Sequence, residues 1–228
     1  MSIDLLVFGP HPDDIEIGLG GTVARHTASG HRVGLCDLTK GELSSNGTPE
    51  QRQVEAAAAA DVLGALWREN LGWPDGGIDA TPAIIRSAVD IIRRHRPRAI
   101  AIPHWEDRHP DHVAASALCD AARFTAKLVK IDLAGAAHWT PRLWHYGAVH
   151  LRLPVAPAFV LDAGEALPIK MKALRCYESQ FIANAANAEL LENIEIQARY
   201  WGGLIRRPAG EPFFAREPIG LTSITPLL

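Results

Sequence analysis

The sequence predicts an α/β fold: a Rossmann-like, doubly wound, mostly parallel sheet with helices on both faces. Three observations carry this. Short apolar runs alternate with helical patterns in a β-α-β-α rhythm. The helical patterns open on recognisable caps. The 228-residue chain is long enough for one sizeable core and short for two, so residues 1–228 are expected to form a single domain.

The elements follow in order. "IDLLVFG" (3–9) reads as a strand, "GLGGTVARHTASG" (18–30) as a helix closing at Gly30, and "HRVGLCDLT" (31–39) as a second strand. After the polar loop "KGELSSNG" comes "TPEQRQVEAAAAADVLGALW", a helix with Thr48 at the N-cap, Pro49 at the first position and Gln51 placed for a capping box. "ENLGWPDGG" carries a short strand and turn. "TPAIIRSAVDIIRRHRP" repeats the Thr-Pro opening and stops at Pro97. "RAIAIPHW" (98–105) is a buried strand, "EDRHP" a loop and "DHVAASALCDAARFTAKL" a helix. Strands are expected in "RLWHYGAVH" and "FVLDAG", a loop in "LRLPVAPA", and helices through "LPIKMKALRCYESQF" and "AELLENIEIQARYWGGLI".

Composition narrows the function. A net charge of −3 without any basic block argues against a nucleic-acid partner. Three scattered cysteines without a CxxC pair fit a reducing compartment and exclude a disulfide frame or thiolate zinc site. "IDLLVFG" is too short and too polar for a signal segment, and no window suits a bilayer span. The expectation is a cytoplasmic protein with no membrane partner.

Ligands of open parallel sheets bind beyond the carboxyl ends of strands, where strand order reverses. His11, Asp13 and Asp14 follow the first strand; His104, Glu106, Asp107, His109 and His112 follow the strand at 98–105. A Rossmann-like order makes these strands neighbours, so both clusters can face one crevice. Two imidazoles and a carboxylate with open positions form a known catalytic metal arrangement. Taken singly, each cluster is an ordinary solvated loop, and Asp111 reads as a helix cap. Their equivalent placement after two strands is the stronger signal. His26, His31, His95, His138 and His145 read as surface or packing residues. "GLGG" matches neither GxGxxG nor GxxxxGK[ST]; its glycines are expected to seat the following helix against the sheet.

"GPHPDDIEIGLGG" and "WEDRHPDHVAA" resemble the two metal motifs of the PIG-L/LmbE-like zinc-dependent N-deacetylases. "CDLTKGELSSNGTPEQRQVEA", "NLGWPDGGI", "IIRRHRPRAI" and "ALRCYESQF" are similar to the branch that deacetylates N-acetylglucosaminyl-malate in bacillithiol biosynthesis. The resemblance weakens over 121–160 and at the C-terminus. It implies a Zn2+ site, with other divalent ions such as Fe2+ acceptable, ligated by His11, Asp14 and His112. It makes Asp13 the general base and His109 the oxyanion stabiliser. Arg108 and Arg52 become candidates for the sugar hydroxyls and malate carboxylates, with Glu42, Ser45 and Asn46 reaching the sugar from the loop before the Thr48 helix. Without the resemblance, that loop reads as a solvated connection, and Arg108 equally as a local ion pair with Glu106 or Asp107. Tyr177, Glu178 and Gln180 read as site or helix-surface residues alike, and Cys176 as packing.

The expected partner is a small N-acetylated sugar. The resemblance also implies a homo-oligomer, a hexamer being one form, with the apolar "IGLTSITPLL" a candidate interface. Alternatives are a deacetylase of another N-acetylglucosamine compound or mycothiol-like conjugate, a non-haem Fe(II) oxygenase with a 2-His-1-carboxylate set, and a non-catalytic binding protein.

Overall fold

A computed structural model of the chain describes residues 2–184 and 187–220. Its strands are β1 (Leu5–Gly9), β2 (Val33–Thr39), β3 (Trp67–Trp73), β4 (Ala99–Ile102), β5 (Arg142–Tyr146), β6 (Phe159–Asp162) and β7 (Gly210–Phe214). Its helices are α1 (Asp14–Ala28), α2 (Pro49–Leu63), α3 (Pro82–His95), α4 (Pro110–Ala126), α5 (Leu167–Arg175), α6 (Glu178–Phe181) and α7 (Ala188–Leu204). The strands form one sheet in the order β3-β2-β1-β4-β5-β7-β6. Strand order reverses between β1 and β4, which pair in parallel. Only β7 runs antiparallel to its neighbours β5 and β6.

Alternation along the strands divides the core into two layers. Leu5, Val7 and Leu35 face α1, α2, α5 and α7, whereas Leu6, Phe8, Cys36 and Leu38 face α3 and α4. Both faces are therefore covered, as a parallel sheet requires. The Thr-Pro starts hold: the Thr48 hydroxyl accepts from Gln51 N–H at 3.2 Å, and Thr81 accepts from Ile84 N–H at 3.4 Å. The Gln51 side chain, however, turns to Glu55 rather than back to Thr48, so only half of the box forms.

Three expectations are corrected. α1 begins at Asp14, not Gly18, so the glycines lie inside the helix. There they permit close approach: a Cβ on Gly18 would stand 2.6 Å from the Tyr146 ring, and one on Gly21 2.8 Å from Ala163. Trp67, expected to end a helix, opens β3, because Gly64 at φ 71° closes α2 at Leu63. The final correction is β7, "GEPFF", a strand not expected after the last helix, which fills the gap between β5 and β6. Its Glu211 points inward, where it accepts from Gly21 N–H (2.9 Å), Thr22 N–H (2.6 Å) and the buried Lys170 ammonium (2.6 Å).

Among the described residues no helix is long and apolar enough to cross a membrane. Most of the apolar C-terminal stretch, residues 221–228, lies outside the described residues.

Candidate metal centre

The turn from β1 into α1 is tied on itself. The His11 N–H donates to Asp14 Oδ2 at 2.9 Å, and the His11 Nδ1 lies 3.1 Å from the same oxygen. Thr39, at the end of β2, braces the turn by donating twice to the Pro10 carbonyl. Asp13 sits at φ 102°, a conformation that costs most side chains energy and that Asp and Asn tolerate best. That twist separates Asp13 from Asp14, so the adjacent carboxylates do different things.

From β4, the loop 103–109 leads into α4, whose first turn carries His112. Its Nε2 stands 3.2 Å from Asp14 Oδ2. Despite that separation, Nε2 makes no hydrogen bond among the described residues, and it is fully buried. Three donor atoms of His11, Asp14 and His112 thus converge, all within 4.8 Å of one another. A buried nitrogen lone pair held near a carboxylate oxygen without a hydrogen bond is the arrangement a cation completes. His11, His109 and Asp111 form a second, overlapping group at the same spacing.

The tautomers are set from behind. Asp107 Oδ2 takes the His112 Nδ1 at 3.0 Å, and Asp75 and Asp111 take the His11 Nε2 at 3.0 and 3.2 Å. With protons held there, His112 Nε2 and His11 Nδ1 present lone pairs toward Asp14, the carboxylate–histidine pattern that orients metal ligands. The same carboxylates govern charge. Burial opposes protonation of His11, yet Asp111, Asp14 and Asp75 raise its pKa to about 12. Burial likewise opposes protonation of His112, but Asp14 and Asp107 push it up to about 9.

Asp13 lies half-buried beside this group. Burial, reinforced by Asp14, pushes its carboxyl up to about 7 against the opposing pull of Arg52 and His11. Such a value suits a general base near neutrality. His109 caps α4: its Nδ1 accepts from Asp111 N–H at 3.2 Å, so the ring proton resides on Nε2. Burial and the neighbouring histidines lower its pKa, keeping the ring neutral. Its centroid lies 4.7 Å from that of His11. A neutral imidazole with a fixed N–H is equipped to donate to a developing oxyanion.

The substrate-side residues are placed differently from expectation. Arg52 is no open guanidinium: it is buried, donates to Asp13 Oδ2 at 3.0 Å, to Gly41 O at 3.3 Å and to Pro12 O, and so holds the base. Glu42 accepts from Lys40 and Asp75 N–H. Asn46 bonds Gln180 and Asn184, stitching its loop to α6. Arg108 is exposed, and among the described residues its guanidinium makes no ion pair, neither with Glu106 nor with Asp107. His104 leaves the cluster altogether: it stacks on Trp105 and meets Phe214 edge-on. Tyr177 is fully buried in the core, Gln180 serves the loop, and Glu178 is exposed.

Two residues escape sequence reasoning. Asp75 arrives from the loop after β3, joining His11 to the Leu43 N–H of the polar loop. His150 arrives from beyond β5, its ring 5.0 Å from that of His112. The "PDGG" turn was a signal for Asp75, since it too follows a strand end; nothing local marks His150.

Comparisons with known proteins give the chain's family and fold. Residues 6–123, more than half the chain, match the family model PIG-L, described as GlcNAc-PI de-N-acetylase. The chain is similar to the diacetylchitobiose deacetylase of Thermococcus kodakarensis, at 30% identity over 78% of this chain and 70% of that protein. Seven further curated relatives are spanned over only 41–62% of their length; six are named 1D-myo-inositol 2-acetamido-2-deoxy-alpha-D-glucopyranoside deacetylases. Among solved structures, the conserved protein TT1542 from Thermus thermophilus superposes with a TM-score of 0.89 at 40% identity, covering 96% of this chain and 97% of that one. A 4-carboxy-2-hydroxymuconate hydratase from Pseudomonas putida shares the fold at a TM-score of 0.81 and 21% identity, covering 98% and 99%. The fold alone therefore does not fix the reaction. The match reaches both strand-end clusters: the chain belongs to the PIG-L family of N-deacetylases.

Proposed function

We propose that this protein is a metal-dependent hydrolase that removes the N-acetyl group from a 2-acetamido sugar conjugate. The observation that carries the reading is the convergence of His11, Asp14 and His112 beside a separately held Asp13. Two imidazoles and one carboxylate fit Zn2+, and Fe2+ is chemically acceptable to the same donors. A bound divalent cation would polarise the amide carbonyl and lower the pKa of its water. Asp13, kept in place by Arg52, would take a proton from the attacking water. The His109 Nε2–H donates to the carbonyl oxygen as negative charge develops. Asp107, Asp75 and Asp111 keep the ligand imidazoles in one orientation. The Fe(II) oxygenase alternative has no support from the relatives, and it leaves Asp13 without a role.

The finer reading is N-acetylglucosaminyl-malate, in bacillithiol biosynthesis. It is supported by the loop sequences quoted above and by the unpaired, exposed Arg108, whose guanidinium suits bidentate binding of a carboxylate. Acetate release from N-acetylglucosaminyl-malate, N-acetylglucosaminyl-inositol and diacetylchitobiose, each with and without chelator, separates the readings. Preference for the malate conjugate that is lost in Arg108→Ala supports the finer one. Equal loss on all three substrates refutes carboxylate binding by Arg108.

A further inference from the structure

A cavity of about 720 Å³ lies beside the metal-capable group rather than in it. Its walls are the 147–157 loop, one side of α7, most of β7 and the first turn of α1. Ile17, Ile194, Trp201, Pro212 and Phe214 make it mainly apolar. Lys170 and Glu211 border it too, but they are paired at 2.6 Å and are 3% and 2% exposed, so they offer it no open charge. Its volume falls within the range of small-molecule pockets, about 300–1,000 Å³.

The cavity borders the candidate active site through one loop. His150 lines it, and the His150 ring lies 5.0 Å from that of His112 and 5.7 Å from that of His109. The Val149 N–H donates to Asp107 Oδ2, the same oxygen that takes His112 Nδ1, and the His150 N–H is shared between both Asp107 oxygens. Asp107 thus pins the cavity wall and a metal-capable imidazole to one point. A substrate whose acetamide reaches that imidazole has its next substituent within reach of the apolar walls.

We propose that this cavity receives an apolar alkyl or aryl group attached to the N-acetylated sugar. The proposal rests on the deacetylase reading but not on a malate aglycone; it gives the same site a second substrate class. A fully buried methylene is worth about 0.8 kcal/mol, or about fourfold in affinity. Because the group is bound equally before and during reaction, the gain is expected in KM rather than kcat.

The test uses the metal-loaded protein with methyl, butyl and octyl glycosides of N-acetylglucosamine. KM is expected to fall at least tenfold from methyl to octyl, with kcat changed by less than threefold. Gln197→Trp, from a half-buried position of α7, and Leu190→Glu, at an exposed lining position, are expected to abolish that dependence. Both should leave KM for the methyl glycoside unchanged. Calorimetric Kd values for the methyl and octyl glycosides read the cavity even where no acetate forms. Equal Kd and KM across the series, as expected if another copy of the chain or residues 221–228 fill the cavity, overturn the proposal. So does chain-length dependence that survives in both variants. Absence of acetate with a preserved Kd difference overturns the deacetylase reading instead.

Discussion

Asp107→Asn tests the idea that carboxylates behind the imidazoles set the metal affinity. Asp107 accepts from four groups: His112 Nδ1 at 3.0 Å and Val149 N–H at 2.9 Å on Oδ2, Arg108 N–H at 2.6 Å on Oδ1, and His150 N–H shared between Oδ1 at 3.2 Å and Oδ2 at 3.4 Å. An amide placed with its oxygen toward His112 keeps the first two and turns its NH2 on the Arg108 and His150 amides, both at exposed residues where water can compensate. What is lost is charge. A hydrogen bond to a charged group contributes about 1.5–3 kcal/mol against about 0.5–1.5 for a neutral one. The His112 orientation therefore loses roughly 1–1.5 kcal/mol, about tenfold in metal affinity. Asp107→Ala removes every acceptor and is expected near the hundredfold end seen for outer-shell ligands, about 10–100-fold. Competition against a zinc chelator measures both. A Kd for Asp107→Asn within twofold of the parent, or an alanine variant no weaker than the asparagine one, refutes the reasoning.

Three further outcomes follow from packing and charge. Gly18→Ala drives a Cβ to 2.6 Å from the ring of Tyr146, which cannot yield because its hydroxyl donates to Phe8 O at 3.0 Å. The cost is expected at about 1–3 kcal/mol by thermal unfolding, with weaker metal binding because Asp14 lies one turn upstream. Glu211→Gln leaves the buried Lys170 ammonium without its counter-charge, a loss of about 3–5 kcal/mol; adding Lys170→Met should restore part of it, and a double variant as unstable as the single refutes the pair's role. For the metal-free protein, the His11 hydrogen bond holds Asp75 at about 2, and His112 outweighs burial to hold Asp107 at about 2. Both lie below the unfolded value near 3.9, so their stabilisation is present above about pH 4 and is lost as pH falls toward about 2. A melting temperature unchanged across that interval contradicts this.

The parallel core was legible because strands and helices there differ in period and the Thr-Pro caps are local chemistry. Asp14 was misplaced relative to its helix because the glycines at 18, 20 and 21 read as the seat where the helix starts, whereas they lie inside it and serve close packing against Tyr146, Lys170 and Ala163. β7 was hidden because a central strand normally reads apolar, while "GEPFF" carries a charge that α1 amides and Lys170 satisfy across the fold. The candidate ligands stood out through their strand-end spacing. Asp75 and His150 did not, since their approach to His11 and His112 depends on where the loops after β3 and β5 turn. The role of Arg52 depends on a contact across 39 residues that only the folded chain makes.

The central claim is that Asp13 performs chemistry while His11, Asp14 and His112 hold the metal. Asp13→Asn tests it most directly, because asparagine tolerates the φ of 102° and preserves the shape of the turn. The account predicts a variant that binds one zinc per chain with near-parental affinity and loses turnover of a 2-acetamido sugar by about 10²–10⁴-fold. Turnover within tenfold of the parent, or loss of zinc in step with loss of activity, would contradict it.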